Sequence, residues 1–405
     1  MSSKTPRQAI SLRRRQLLAA PLAGMLAGVV GSAALTACGG GGGDTPGASA
    51  LGFVSGPISG LGSIIVGGIR FDDNNARVED DDGGLHDRGE LKLGMMVEVH
   101  SSSIDDNLGR GTAVVIRFGS ELKGLVTAVD AAAQTIRMLD QTIEIRPETV
   151  FDPRLAGGFS ALTAGQILEI HALLDSASGR FLATRIELED NANAFRLRGV
   201  VSQLTTAART FNIGDAVINY AGIPANDLPT LANGQRVRVR LQAAKVNGQW
   251  IAISVRNGLR RVDDIADARV RGFVTAFSSP ERFAVEGIPI DATNARFEPG
   301  AGAVQLGALV EVRGSASNGT IVASRVKAID RFGDDWRRVE LHGRVSALNT
   351  VAQTFVLREV TVNFSRVIEW EDGGPADLAN GTAVEVKGVW SEDRRVLFAA
   401  EIEFE

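Results

Sequence analysis

The chain has 405 residues, with 43 basic against 48 acidic side chains and a formal net charge of −5. An acidic balance with 5% aromatic residues and one tyrosine argues against nucleic acid or an anionic lipid surface as main partner, because both are gripped by basic, aromatic-bearing faces. The single cysteine, Cys38, leaves no disulfide to form and no thiol-based metal cluster, so packed cores must supply the stability.

At the N-terminus, Lys4, Arg7, Arg13, Arg14 and Arg15 precede the apolar run "QLLAAPLAGMLAGVVGSAALTA". Charge, length and the small residues at its end make residues 1–37 a secretory signal peptide. "LTAC", with Leu35 and Ala37 before Cys38, resembles the lipobox of bacterial lipoproteins, which implies that Cys38 is acylated and becomes the new N-terminus. "RRRQLL" resembles a twin-arginine export signal, with Arg14 and Arg15 as the pair; three arginines also suit an ordinary n-region. Removing residues 1–37 takes away those five cations and no anion, so the formal charge moves from −5 to −10.

The glycines after Cys38 lack the preceding strand, the following helix and the Lys and Ser/Thr that a phosphate-cradling loop needs. Residues 38–50 therefore read as a flexible tether. Gly39 stands where an aspartate resembles an inner-membrane retention signal, so the expected location is the periplasmic face of the outer membrane, lipid-anchored. An acylated cysteine holds a chain there without a spanning helix.

From Leu51 onward the chain repeats. The anchor Leu-x-x-Gly-x-x-Val-x-Val recurs as "LKLGMMVEV" from Leu91, "LTAGQILEI" from Leu162, "LANGQRVRV" from Leu231, "VQLGALVEV" from Val304 and "LANGTAVEV" from Leu378. A glycine heads an apolar alternation 32 to 38 residues earlier each time, at Gly56, Gly124, Gly199, Gly272 and Gly343. A closing Ala-x-x-Ile/Val follows at Ala113, Ala183, Ala252, Ala323 and Ala399. The units are 51–119, 120–190, 191–263, 264–331 and 332–405, about 70 residues each.

Period-two alternation such as "ALVEVRG" and "IPIDATNARF", broken by Gly, Pro, Asn and Ser clusters, predicts strands with one wet face. The glycine of Leu-x-x-Gly is expected to take a positive φ before the fourth strand. The spacing of three from Ala323 to Val326 predicts a bulge in the last strand. Five short strands hide a core only by closing on themselves. The fold class is thus all-β: a tandem array of five small five-stranded OB-like barrels after the signal and lipidation segment, preferred to SH3-like barrels or open sandwiches. Short linkers predict a rod or arc of beads, each folding on its own core, so that truncation near Arg331 leaves the others soluble.

The lipobox together with "GxVxxx", "LxxGxxVxV" and "AxxI" repeats resembles the bacterial DUF5666 domain over nearly all of the chain from Leu51, with the Gly-rich first unit the most divergent. The resemblance implies a small extracytoplasmic β domain and brings no catalytic residue.

No chemistry stands out among the polar residues. His86, His100, His171 and His342 have no ligand-spaced partner and read as solvated or edge-strand side chains. "GSASNG" near Gly314 is a hairpin, not a nucleophile elbow. Trp250, Trp336, Trp370 and Trp390 read as core or rim packing. In "FDDNNARVEDDDGGLHD", Asp72, Asp73, Asn74, Glu79, Asp80, Asp81 and Asp82 offer oxygen ligands suited to calcium, but without the spacing of an EF-hand; the plainer reading is a solvated acidic loop. No cofactor is expected. The function expected is a non-enzymatic, lipid-anchored envelope module for an envelope protein or glycan. The alternative is a calcium- or small-ligand-binding protein, or an enzyme whose site lies between repeats.

Overall fold

The computed structural model describes residues 52–105, 108–147, 149–175, 178–258, 264–329, 338–391 and 395–405. Arg14, Arg15, Leu35, Ala37, Cys38 and Trp336 lie outside the described residues. Strands dominate, and the helical turns among the described residues are 3-10 turns such as Arg88–Glu90 and Gly158–Ala161. No helix there is long and apolar enough to cross a membrane.

The strands close into small barrels. In the second repeat, Leu122–Asp130 pairs antiparallel with Thr135–Met138, which pairs with Gln141–Glu144. Gln141–Glu144 runs parallel to the fifth strand, Arg180–Glu189; this pairs antiparallel with the fourth, Ile167–Asp175, which returns to the first. The circuit is first, second, third, fifth, fourth, first, and it leaves no free edge. The same circuit closes from Gly52–Leu61 to Arg110–Phe118, from Phe195–Thr205 to Gln249–Asn257, and from Ile265–Ser279 to Thr320–Ala328. It closes again from Arg338–Arg344 to Val396–Phe404, where the first strand resumes as Ser346–Asn349.

The anchors explain the closure. The glycine of every Leu-x-x-Gly takes a positive φ, as expected: 78° at Gly94, 95° at Gly165, 86° at Gly234, 76° at Gly307 and 94° at Gly381. Its N–H donates to the carbonyl of the residue two places after the heading glycine, Gly94 to Ile58 and Gly165 to Val126 at 2.8 and 2.9 Å. That residue's own N–H returns a bond, Ile58 to Met95 and Val126 to Gln166. Two sequence anchors more than 30 residues apart are therefore stapled together, and the same pair of bonds recurs at Val201, Val274 and Val345.

The closing Ala-x-x-Ile/Val is a bulge each time. The register slips past Val114, Thr184, Ile253, Ser324 and Ala400, leaving one unpaired residue on the fifth strand. The extra residue lets both the alanine and the residue three places on face the core. Ala323 and Val326, for example, are 4% and 0% exposed.

The expected rod of independent beads is corrected. The first strand of the first repeat runs parallel to the first strands of two other repeats, matching Ser55 with Val270 and Leu61 with Leu341. The first strands of the second and third repeats pair antiparallel, Leu197 with Leu122. Cores merge accordingly: Leu122 through Val255 make one cluster across the second and third repeats, and Ile58, Phe71 and Val99 share another with Leu341, Phe355 and Val386 of the fifth. Phe53 packs into the fourth repeat's core.

This packing accounts for the Gly-rich divergence of the first repeat. A Cβ at Gly60 meets the Glu340 carbonyl oxygen at 2.8 Å, and one at Gly62 falls on the His342 side chain. Only glycine admits the fifth repeat so closely.

Candidate functional site

The acidic stretch is a short hairpin, Arg77–Asp80 against Leu85–His86, lying parallel to the fifth strand Arg110–Phe118. Its carboxylates do not converge. Asp72 accepts from the backbone and side-chain N–H groups of Asn74 at 3.1 and 2.9 Å. Asp73 is buried 3.5 Å from Arg88, and burial pushes its carboxyl above the usual range. Burial also works against the charge of Asp80, but bonds from His86 and from the Gly84 and Asp82 N–H groups outweigh it and hold this carboxyl below the usual range.

Asp81 and Asp82 leave their own repeat altogether. Asp81 pairs with Arg198 and lies 3.4 Å from Arg238, while Asp82 accepts from Arg238 at 2.6 Å. A side chain at Gly119 would collide with Asp81. The stretch is solvated at Asp72, Asn74 and Asp82, but its tip is also a latch seated on the third repeat.

What it seats on is a ladder of arginines. In "RLRG" and "RVRVRL" the alternation of strands puts every second residue outside. The register then sets Arg196 opposite Arg240, Arg198 opposite Arg238, and Arg238 opposite Arg256. Like charges directly across a sheet repel, and the acidic latch supplies part of the missing counter-charge.

A further part comes from inside. Glu121, fully buried, lies 3.8 Å from Arg198 and 3.7 Å from Arg236, and Arg236 donates to buried Glu286 at 3.1 Å. Glu286 also accepts the Phe273 N–H at 2.9 Å, tying the third repeat to the fourth. Further along, Lys123 pairs with Glu169 and Glu189 at 3.1 and 2.8 Å, and Arg196 donates to the Ser120 hydroxyl at 2.9 Å. Lys123, Arg196, Arg238, Arg240, Arg256 and Asp82 line an open cleft of about 580 Å³.

Among the described residues, two groups bring three metal-type ligand atoms within 4.8 Å: Glu340, His342 and Glu385, and Glu371, Glu401 and Glu403. The first is filled by Arg70, whose guanidinium lies 2.8 Å from His342 Nε2 and 3.2 Å from Glu385 and also pairs with Glu340. The second is partly exposed, and burial together with the charges of Glu401, Glu403 and Glu369 pushes the Glu371 carboxyl up. Neither includes an aspartate of the acidic stretch.

Two histidines depart from the solvated reading. His100 is buried with its ring edge-on to Phe53, 5.2 Å away. His171 is 1% exposed, and its Nδ1 accepts the Met96 N–H at 3.2 Å, joining the first two repeats. Burial lowers its affinity for a proton, against the raising effect of Glu121, Glu169 and Glu187 and alongside the repulsion of Arg185. A histidine that stays neutral in the folded chain is stabilising above its ordinary pKa, and that stability is lost as pH falls below about 6.5. The loss is expected to approach about 1.4 kcal/mol per pH unit. His86, whose affinity for a proton is raised by its bonds to Glu90 and Asp80, works in the opposite sense. His171→Gln, which keeps an acceptor for Met96, should flatten the fall in urea-unfolding stability between pH 7 and 5; parallel curves for both chains would refute this.

Trp250, Trp370 and Trp390 pack as expected. Trp250 is 7% exposed and donates to Asp140 at 2.8 Å, Trp370 stacks on Phe404 at 6.1 Å, and Trp390 lies against the shared core of the first and fifth repeats.

The repeat architecture has a match among known domains. Three segments of this chain match the model of the DUF5666 domain. They span residues 123–187, 271–327 and 342–403, within the second, fourth and fifth repeats, and the domain is one of unknown function. Each matched segment opens beside the heading glycine and ends beyond the bulge alanine, so each match covers one barrel of this chain. Among solved structures, drosophila Unr CSD456 is similar over 41% of this chain and 78% of its own, with 16% identity and a TM-score of 0.16. No curated protein matches the chain.

Proposed function

We propose that the chain is a non-enzymatic, lipid-anchored envelope protein, a binding module of five OB-like barrels presented on a short tether at the periplasmic face of the outer membrane. Strand order first, second, third, fifth, fourth, with a parallel closure between third and fifth strands, is what supports the OB-like reading of each repeat. The lipobox at Cys38 and the positive n-region with Arg14 and Arg15 support the anchor and export.

The observation that carries the non-catalytic reading is the use made of the chemistry-bearing side chains. His171 and His342 join one repeat to another, and His86 braces its own hairpin between Asp80 and Glu90. The buried carboxylates Glu121 and Glu286 neutralise buried arginines. Their task is to hold barrels together.

Cell fractionation of the wild-type chain and of Cys38→Ala tests the anchor. The wild type is expected in the membrane fraction, released only by detergent, and the variant in the soluble periplasmic fraction. A variant that stays with the membrane would overturn the lipidation reading.

A further inference from the structure

The cleft over the third repeat's arginine ladder has a charge imbalance that the other described residues do not relieve. Of its five cations, Lys123 is neutralised by Glu169 and Glu189, Arg196 by Glu169, and Arg238 by Asp81 and Asp82. Arg240 and Arg256 remain. Both are exposed, and neither side chain has an ion-pair or hydrogen-bond partner among the described residues.

The sheet fixes where they stand. Arg256 is the register partner of Arg238, and Arg240 lies two residues beyond Arg238 on the same strand and face. Arg240 and Arg256 are therefore diagonal neighbours, separated at the backbone by roughly 7–8 Å, a gap that long side chains span. Ser254 stands directly opposite Arg240, and Asn191 and Asn193 also line the cleft. The ladder already accepts anions, since two of its arginines hold the carboxylates of the acidic latch.

From this juxtaposition we infer that the cleft binds a phosphate monoester through Arg240 and Arg256. Two uncompensated guanidinium forks match one compact dianion, whose three terminal oxygens accept from both at once. A lone carboxylate neutralises only one of them. The same group is carried by phosphorylated lipid headgroups and by soluble phosphate esters. The inference deepens the binding-module reading by naming its ligand class.

The test uses the chain from residue 38 onward carrying Cys38→Ala, so that neither an acyl group nor the apolar run of residues 16–37 itself binds lipid. Inorganic phosphate at pH 8 and low salt, followed by calorimetry, is expected to bind saturably. Arg240→Gln and Arg256→Gln should each weaken binding roughly tenfold, and the double variant roughly a hundredfold. Thermal midpoints should stay unchanged, because both side chains are exposed.

Sedimentation with phosphatidylcholine vesicles, with and without phosphatidic acid, identifies the source. Arginine-dependent binding confined to the phosphatidic acid vesicles assigns a headgroup; arginine-dependent binding of free phosphate alone assigns a soluble ester. Absence of saturable binding to both probes, or a double variant that binds like the parent, overturns the inference. Arginine-dependent hydrolysis of p-nitrophenyl phosphate would keep the site and overturn the non-enzymatic reading instead.

Discussion

Deleting residues 332–405, the fifth repeat, is expected to unfold the first repeat as well. The two share one core, in which Ile58, Leu61, Phe71 and Val99 pack with Leu341, Phe355, Val386 and Leu397, all at most 3% exposed. Their sheets are continuous through Gly60 with Glu340 and Leu61 with Leu341. Arg70 loses its partners Glu340, Glu385 and His342 in the same stroke.

Re-exposing one such side chain costs about 1.5–3 kcal/mol. Three or four of them equal the roughly 5–15 kcal/mol that holds a domain folded. Hydrogen exchange on the shortened chain should show strand Gly52–Leu61 losing its protection, while the second and third repeats, whose core is their own, keep theirs. A first repeat that stays protected would mean that each barrel is self-sufficient after all.

Glu121→Ala is expected to cost about 3–5 kcal/mol, the usual penalty for stripping one partner from a buried ion pair. The Glu121 side chain is 0% exposed between Arg198 and Arg236, which are 5% and 3% exposed, and Oε2 also accepts the Ala172 N–H at 3.3 Å. Removing it concentrates uncompensated positive charge where water cannot reach. Urea denaturation measures the loss. Pairing the change with Arg236→Met should recover part of it, because the charge left stranded is then removed too. A Glu121→Ala chain within about 1 kcal/mol of the parent would show that Glu286 and the acidic latch neutralise the arginines without it.

How much of this was legible in the residues differs from feature to feature. The positive φ at Gly94, Gly165, Gly234, Gly307 and Gly381 was legible because a turn before a strand is a local event that glycine alone adopts cheaply. The bulge at Ser324 was legible because a spacing of three between Ala323 and Val326 cannot face one side of a regular strand. Glu340 and His342 share a face by alternation, yet their cluster with Arg70 and Glu385 was invisible, since it is assembled from strands of two repeats. The acidic stretch misled for the same reason. Its charges were plain, but the arginines that absorb Asp81 and Asp82 lie more than 100 residues downstream.

The alternation of "RVRVRL" sets Arg236, Arg238 and Arg240 on one face; it does not show that Arg196, Arg198 and Arg256 arrive beside them from neighbouring strands. Anchors, turns, bulges and the all-β class are therefore properties of the sequence by itself, because backbone preference and period-two burial act over a few residues. The merging of cores, the latch on the third repeat and the two arginines left uncompensated were decided only by tertiary structure. Charge balance and exposure depend on which strand edges meet, and no local rule of the chain specifies that.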